Sequence, residues 1–396
     1  MQTPHPRRAL VLGAGIYGLT AALELSARGW RVEVADPGPL PHADAASNDI
    51  SKIVRTDYGA DAFYTALAEA AVRGWGEWNE QWGWPAFERT GFLLLSRRPL
   101  VPGSFEHDSW GVALERKQRV ERVDARMLRD SFPLWSSGPW VDGYLNLDGG
   151  WSPSARVLVE LAQRAAEMGV DLQEGRCAHA IEHDARGPVV RWTDGSSAGA
   201  DVVLVAAGSW TPLLLPELSD RISAVGQPVF HLRVEDPDRF RPPGFRVWAA
   251  DIARSGWYGF PALPDGRLKI ANHGPGVPLA PGAPRVVLPE HESHLRTFLA
   301  EALPEVAQAP IVQRRLCVYT ETFDNDFLID RHPDRPGVFV ASGGSGHGYK
   351  FAPLLGALAA DAVEGRDNPW LHRFRWRALG PRRTEPARWT GLQEAS

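Results

Sequence analysis

The sequence has 396 residues, of which 44% are hydrophobic and 23% are charged, a composition typical of a globular protein with a buried core. This length predicts about two or three domains. The net charge of -5 gives no indication of a nucleic-acid partner, and no uncharged stretch is long enough to cross a bilayer, so we expect neither nucleic acid nor membrane as a partner.

Hydrophobic periodicity predicts strands and helices along the whole chain. The predicted strands are residues 9–12, 31–35, 201–208 and 338–341, and the predicted helices are residues 16–28, 61–82 and 154–168. Residues 86–96 and 225–273 are rich in strand patterns. Residues 372–396 are rich in Arg, Pro and Trp, and we predict that they form a surface tail.

A glycine-rich turn joins the first predicted strand to the first helix. Gly13, Gly15 and Gly18 have the G-x-G-x-x-G spacing, which permits a sharp turn, close approach to a pyrophosphate and packing of helix on strand. Asp36 ends the second strand, where an acid accepts hydrogen bonds from ribose hydroxyls. That strand runs into a polar loop around residues 47–55 instead of another regular βα unit, which favours FAD over a nicotinamide cofactor.

Nucleotide-type patterns occur at the start, middle and end of the chain, with strand-rich stretches between them. This order predicts a mixed α/β protein with a discontinuous Rossmann-like FAD-binding domain and an inserted antiparallel β-rich substrate domain. We assign residues 1–85, 147–220 and 315–396 to the first domain, and residues 86–146 and 221–314 to the second.

Three further segments carry a family resemblance. They are RLCVYTETFDNDFLID at residues 315–330, ASGGSGHGYKF at residues 341–351, and the pair WYGFP and LKIANH at residues 257–261 and 268–273. With the glycine-rich turn, they resemble the monomeric sarcosine oxidase family of DAO-type flavin amine oxidases, which includes N-methyltryptophan oxidase, pipecolate oxidase and fructosyl amino acid oxidase. The resemblance covers nearly the whole chain in the same order.

The resemblance implies an FAD-dependent oxidase of secondary amines, specifically N-substituted α-amino acids, in which the C–N bond is oxidised to an imine and O2 is reduced to hydrogen peroxide. The implied catalytic residues are Lys52, Tyr258, Lys269 and His273, with Lys269 activating O2. The implied substrate-binding residues are Arg55, Tyr258 and Lys350, and Arg55 and Lys350 hold the substrate carboxylate.

The resemblance also implies which residues bind FAD. They are Gly13, Gly15, Gly18, Asp36, Ser47, Lys52, Cys177, Gly208, Trp210, Cys317, Gly346, His347, Gly348 and Lys350. Cys317 stands where the family forms a thioether to the flavin 8α-methyl group, whereas the Cys177 thiol is incidental. The thioether requires a thiolate, which the adjacent Arg314 and Arg315 would favour if their side chains point to the sulfur.

One position departs from the sarcosine oxidases. Lys52 stands where they carry arginine, and its Asn-Asp-x-x-Lys-Ile setting is closer to the fructosyl amino acid oxidases. Arginine and lysine are not interchangeable at such a site, so we expect a substrate bulkier than sarcosine, or a cyclic amine. The expected partners are O2 and a small secondary amine that carries a carboxylate. We expect the protein to be a monomer or a weak oligomer.

Three alternatives remain open on the sequence. The first is a tailoring flavoenzyme that dehydrogenates a cyclic amine or imine in secondary metabolism without C–N cleavage. The second is a dehydrogenase that passes electrons to a partner protein, and the third is a non-catalytic FAD-holding protein. The two cysteines form neither a disulfide framework nor a cysteine-rich zinc site, so we expect no metal and a reducing, cytoplasmic compartment.

Overall fold

A six-stranded sheet carries the predicted nucleotide-type strands. The computed structural model of the protein describes residues 6–136 and 138–391. In spatial order, the strands of this sheet are Leu328–Arg331, Val338–Ser342, Val202–Val205, Arg8–Leu12, Arg31–Asp36 and Asp171–Glu174. Neighbouring strands are parallel except Leu328–Arg331, which is antiparallel to Val338–Ser342. The strands that run through the centre are apolar and buried, as expected where helices cover a parallel sheet.

A nine-stranded sheet forms the second layer of strands. Its strands are, in order, Val277–Leu279, Ile222–Arg233, Arg267–Asn272, Trp257–Gly259, Val247–Ala250, Phe92–Ser96, Asp142–Asn146 and Val120–Arg122, with Ile311–Thr322 also paired to Ile222–Arg233. Its pairings are antiparallel except that of Val247–Ala250 with Phe92–Ser96. The protein is therefore mixed α/β, as the sequence predicts.

Two small sheets and the helices complete the described residues. The small sheets are Ala178–Asp184 with Gly187–Trp192 and Ser197–Gly199, and Lys52–Val54 with Gly150–Ser152. The α-helices are Ile16–Ala27, Ala62–Trp82, Phe105–Glu115, Ala125–Ser131, Ser154–Glu167, Thr211–Leu214, Ile252–Ser255, Pro289–Ala302, Ala352–Glu364 and Leu371–Phe374. The 3-10 helices are Gly208–Trp210, Pro216–Leu218, Pro237–Phe240, Pro304–Val306 and Gly348–Phe351.

Local signals account for the ends of the long helix Ala62–Trp82. The side chain of Asp61 accepts a hydrogen bond of 3.0 Å from the backbone N–H of Tyr64, which caps the N-terminus. Gly83 adopts a left-handed conformation with φ of 69° and ends the helix. Among the described residues, no helix has both the length and the apolar character needed to cross a membrane.

The C-terminal segment, residues 375–391, is not a surface tail, so that prediction is wrong for its described part. It lacks regular helix or strand but folds back on the protein, and Glu385, Ala387 and Arg388 are buried. Arg388 pairs with Glu321, and the backbone N–H of Trp389 donates to the carbonyl of His273 at 3.1 Å. Arg377 forms a second ion pair, with Asp324, so two arginines attach this segment to the rest of the fold. Residues 392–396 lie outside the described residues.

The predicted domain boundaries stay a prediction. Strand Ile311–Thr322 spans the predicted boundary at residue 315 and pairs with the nine-stranded sheet. This strand is therefore part of the nine-stranded sheet on both sides of the predicted boundary.

Candidate active site

A cavity of about 260 Å³ runs along the glycine-rich turn at the carboxyl ends of the parallel strands. Ligands of open α/β sheets bind at this edge. Most of the predicted FAD-binding residues line this first cavity, namely Gly13, Gly15, Asp36, Ser47, Lys52, Cys177, Gly208, Trp210, Gly346 and Gly348. The sequence prediction therefore selects residues that the fold brings together from six separate parts of the chain.

Glycine is needed at the three positions of the turn for different structural reasons. Gly13 has φ of 105°, and a Cβ there would lie 2.6 Å from the carbonyl oxygen of Ala206. A Cβ on Gly18 would lie only 1.8 Å from the carbonyl oxygen of Gly13. A Cβ on Gly15 would make only an ordinary contact, 3.5 Å from Ser47 Oγ. The protein itself thus requires the first and third glycines, while the second keeps the backbone open to the cavity, as a bound pyrophosphate needs.

Two polar side chains hold this turn in place. The Asp36 carboxylate accepts hydrogen bonds from the backbone N–H groups of Ala14, at 2.8 Å, and Gly38, at 3.0 Å. Ser47 Oγ accepts from the N–H of Ile16 at the start of the first helix, at 3.2 Å. Asp36 therefore orients the turn and also lines the cavity, where its remaining lone pairs are available to a ribose.

A second, smaller cavity of about 90 Å³ adjoins the first. The walls common to both are Lys52, Tyr319, Gly346 and Tyr349. The predicted catalytic and substrate-binding residues all line the second cavity, namely Lys52, Arg55, Tyr258, Lys269, His273 and Lys350. Two predicted cofactor residues, His347 and Lys350, lie here rather than along the first cavity. A ring system that ends the first cavity would therefore face these side chains.

Strand alternation explains why these residues meet. In Arg267–Asn272, Leu268 and Ile270 pack into a hydrophobic core, whereas Lys269 and Ala271 point to the opposite face. Ala271 packs with Cys317 and Tyr319 of strand Ile311–Thr322 on that face. One face of the nine-stranded sheet thus carries the predicted reactive groups, and the other is apolar core.

Lys269 lies in a buried ion pair that the sequence does not predict. Its Nζ is 2.7 Å from Asp49 Oδ2 and donates to the carbonyl of Ser51 at 2.6 Å. His231, directly opposite Lys269 across the strands, is 3.1 Å from Asp49 Oδ1. Burial lowers the pKa of the Lys269 ammonium to about 8, while the charge of Asp49 opposes that change. Lys269 is therefore a cation near neutral pH, held at a fixed position.

Lys52 is the cation beside the Cys317 thiol. Its Nζ lies 3.7 Å from Cys317 Sγ, and the cysteine is 2% exposed. Arg314 points to the other face of the sheet and pairs with Glu292, at 2.7 Å. Arg315 donates to the carbonyls of the loop before Lys52, including that of Ala45 at 3.0 Å. The two arginines therefore do not approach the sulfur, and Lys52 takes the place that the sequence analysis gave them.

Arg55 and Lys350 lie together in the second cavity, as predicted for a carboxylate site. Lys350 Nζ donates to the Tyr58 hydroxyl at 3.0 Å and to the carbonyl of His347 at 2.9 Å. Arg55 lies over the Tyr58 ring, 5.1 Å from its centre. Burial, together with the charge of Arg55, lowers the pKa of Lys350 well below its ordinary value. The Nη1 group of Arg55 is buried and has no hydrogen-bond partner among the described residues, so the guanidinium has an open donor.

Glu385 of the C-terminal segment enters the same cavity. Its carboxylate is 3.0 Å from His273 Nε2 and 3.3 Å from Arg55 Nη2. Nothing in the sequence around Glu385 marks it, because it lies 112 residues from its nearest partner and in no recognisable element. Asp49, His231 and Tyr319 were likewise not given a role, although Asp49 belongs to the Asn-Asp-x-x-Lys-Ile motif.

The turn after strand Val338–Ser342 packs tightly on this site. Gly346 has φ of 80°, and a Cβ there would lie 2.3 Å from the Tyr319 ring. His347 contacts the Tyr58 hydroxyl through Nδ1 at 3.2 Å, and burial lowers its pKa to about 3. His347 is therefore neutral. Within residues 6–136 and 138–391, we find no group of three or more His, Cys, Asp or Glu side chains arranged to hold a metal ion.

Three curated oxidases are similar to this chain over nearly its whole length. The L-saccharopine oxidase of Schizosaccharomyces pombe is 28% identical over 411 aligned residues, covering 94% of this chain and 93% of that protein. The monomeric sarcosine oxidase of a Bacillus species is 28% identical, covering 90% and 92%. The N-methyl-L-tryptophan oxidase of Salmonella agona is 28% identical, covering 90% and 94%.

A solved structure has the same fold, and a family model matches the chain. The fructosamine oxidase Amadoriase II of Aspergillus fumigatus superposes with a TM-score of 0.85 at 24% identity, covering 98% of this chain and 94% of that one. The model of the DAO family, described as FAD dependent oxidoreductase, matches residues 8–362. The protein therefore belongs to the DAO family of FAD-dependent oxidoreductases, as the sequence motifs predict.

Proposed function

We propose that the protein oxidises secondary amines, specifically N-substituted α-amino acids, to imines and reduces O2 to hydrogen peroxide. The observation that carries this proposal is the meeting of Lys269, Arg55 and Lys350 in one buried cavity that adjoins the cavity of the glycine-rich turn. The named oxidases among its relatives support the same class of reaction. The low cysteine content supports a reducing, cytoplasmic compartment.

The residues of the first cavity fit FAD. The open backbone at Gly15 and the N-terminus of the first helix suit a pyrophosphate, and Asp36 suits the ribose. When bound, FAD supplies the two-electron chemistry, taking a hydride equivalent from the carbon next to nitrogen and returning the electrons to O2. The protein binds and orients the substrate and positions the charge that oxygen needs.

Five polar residues of the second cavity have a task in this proposal. Arg55, through its open Nη1 donor, and Lys350 hold the substrate carboxylate. Tyr258 and His273 lie beside the amine; burial raises the pKa of Tyr258 and lowers that of His273, so both are neutral hydrogen-bonding groups at pH 7. Lys269 stabilises the negative charge that develops on O2 as it accepts electrons.

An anaerobic amine panel tests the proposal. Purified holoenzyme is mixed with sarcosine, N-methyltryptophan, pipecolate, proline, fructosyl-valine or fructosyl-lysine, and loss of flavin absorbance is recorded. At least one amine is expected to bleach the flavin, and peroxide should form when air is admitted. If no amine reduces the flavin, the proposal is wrong. Reduction without peroxide would instead indicate an electron-accepting partner protein.

We further propose that Cys317 bonds FAD covalently. The Cys317 sulfur, which would form the linkage, is buried and lies 3.7 Å from the Lys52 Nζ. After acid precipitation, wild-type flavin is expected to stay with the protein, whereas Cys317→Ser should release all of it. Cys177→Ser, the matched control, should behave as wild type. Release of flavin from the wild-type protein would contradict the covalent bond.

The reaction with O2 is expected to slow as pH rises through about 8. Burial lowers the pKa of Lys269 to about 8, so the ammonium is present below that pH and is lost above it. Asp49→Asn removes the charge that favours the ammonium, and should move the midpoint to lower pH. Stopped-flow reoxidation of the reduced enzyme between pH 6.5 and pH 10, about two units either side, measures both. A rate that does not change over this range would contradict the role of Lys269.

A further inference from the structure

The second cavity contains an internal carboxylate. Glu385 is contributed by the C-terminal segment, far in sequence from Arg55 and His273, and is 9% exposed. Its two oxygens have separate partners, since Oε1 is 3.3 Å from Arg55 Nη2 and Oε2 is 3.0 Å from His273 Nε2. Glu385 is therefore in direct contact with Arg55, the arginine that binds the substrate carboxylate in the proposed function.

The charges around Glu385 keep it ionised. Burial opposes ionisation, but the hydrogen bond with His273 and the charge of Arg55 outweigh it and hold the pKa of Glu385 well below its ordinary value. Asp57 also lies near Arg55, but its carboxylate accepts a hydrogen bond from the Tyr144 hydroxyl at 2.7 Å. Glu385 is the carboxylate within hydrogen-bond distance of the Arg55 guanidinium.

The C-terminal segment holds Glu385 in place through contacts outside the cavity. Arg388 pairs with Glu321, and Arg383 donates its backbone N–H to the carbonyl of Phe323 at 2.8 Å. The Trp389 N–H donates to the carbonyl of His273 at 3.1 Å. Because both flanks of Glu385 are fixed, the carboxylate is a permanent part of the cavity wall.

We propose that Glu385 determines substrate specificity. It disfavours substrates whose only polar group beside Arg55 is a carboxylate. It favours substrates that place an ammonium or hydroxyl donor next to the Glu385 carboxylate. This inference rests on the second cavity being the substrate site of the proposed function. A like charge beside Arg55 weakens binding of an anion, whereas a donor completes the hydrogen-bonding capacity of Glu385. Arg55 Nη1 and Lys350 still hold a carboxylate when such a donor accompanies it.

The substrate class that follows is an N-substituted amino acid whose substituent carries hydroxyl or ammonium groups. A substrate with a further carboxylate on that substituent would meet Glu385 with the same charge. A substituent that is purely apolar would leave the buried oxygens of Glu385 with no new partner.

Ligand binding to the oxidised holoenzyme tests this inference without turnover. Acetate and ethylammonium, which are similar in size and opposite in charge, are titrated at pH 7.5, about one unit above the ordinary pKa of histidine, and binding is read from the flavin absorbance. In Glu385→Gln, acetate should bind about tenfold more tightly and ethylammonium about tenfold more weakly. Glu385→Ala should shift both affinities in the same directions.

The matched control is Glu321→Gln, which weakens the attachment of the C-terminal segment through Arg388 without changing a charge in the cavity. The inference predicts that the ratio of acetate Kd to ethylammonium Kd falls by about 100-fold in Glu385→Gln, because each affinity changes about tenfold, and stays near wild type in Glu321→Gln. A fall of less than about tenfold in Glu385→Gln, or an equal change in the control, overturns it. If an amine of the panel reduces the flavin, such a result refutes this inference alone; if none does, the proposed function itself fails.

Discussion

Replacing Lys269 with methionine is expected to slow reoxidation of the reduced enzyme by O2 by about 10²- to 10³-fold, the usual loss when one preorganised electrostatic group is removed. Lys269 is 1% exposed, and its ammonium is fixed by Asp49 and the carbonyl of Ser51. Methionine has a similar shape but no charge. The flavin should stay bound, and anaerobic reduction by the amine should change far less than reoxidation.

The ion pair of Lys269 with Asp49 complicates this experiment. Methionine leaves the Asp49 carboxylate buried with His231 as its remaining side-chain partner, which costs about 3 to 5 kcal/mol of stability when a buried pair is broken. The double variant Lys269→Met/Asp49→Asn should recover much of that stability but none of the O2 reactivity. Stopped-flow reoxidation and thermal unfolding separate the two effects. Normal reoxidation in either variant would remove Lys269 from oxygen activation.

Sequence reasoning succeeded where chemistry is encoded by local spacing. The glycine spacing of the turn, the segment LKIANH with Lys269 and the segment GHGYK with Lys350 each lie within one short motif, and the structure brings all three to adjoining cavities. The fold class and the DAO family follow from the same motifs and are confirmed. Because a strand sends alternate residues to opposite faces, Lys269 reaches the cavity once its neighbours are assigned to the core.

Contacts between distant segments could not be read in this way. Asp49 and Lys269 are 220 positions apart in numbering yet form one ion pair, and Arg55 meets Glu385 across 330 residues. Arg314 and Arg315 are adjacent to Cys317 in sequence, but alternation and the partners of their side chains carry both away from the sulfur. Partner choice for charged side chains depends on which chain segments the fold makes neighbours.

The C-terminal segment shows the same limit. Its composition of Arg, Pro and Trp suggested a solvated tail, because no strand or helix pattern is present. Two of its arginines, Arg377 and Arg388, instead pair with Asp324 and Glu321 of the folded protein, and Glu385 lines the second cavity. Periodicity reports regular secondary structure, and irregular segments that are fixed by side-chain pairs leave no periodic signal.

The glycines of the turn give the second large prediction, because the structure separates a requirement of folding from one of cofactor binding. Gly18→Ala would place a Cβ 1.8 Å from the Gly13 carbonyl oxygen, which neither backbone can relieve. We expect it to destabilise the apoprotein by more than about 3 kcal/mol, or to prevent folding. Gly15→Ala meets only Ser47 Oγ at 3.5 Å, in an extended conformation with φ of −76° that alanine adopts readily.

Gly15→Ala should therefore fold, and its free energy of unfolding should fall by about 1 kcal/mol, the usual cost of alanine at a helix N-cap. It should bind FAD about 10²-fold more weakly, because its methyl group projects into the space that a pyrophosphate needs. Both variants are best made with Cys317→Ser, which makes the cofactor exchangeable if the covalent bond forms. Urea unfolding of the apoprotein and fluorescence titration with FAD measure the two quantities separately. Equal losses of stability in the two variants, or unchanged FAD affinity in Gly15→Ala, would show that the second glycine serves the fold rather than the cofactor.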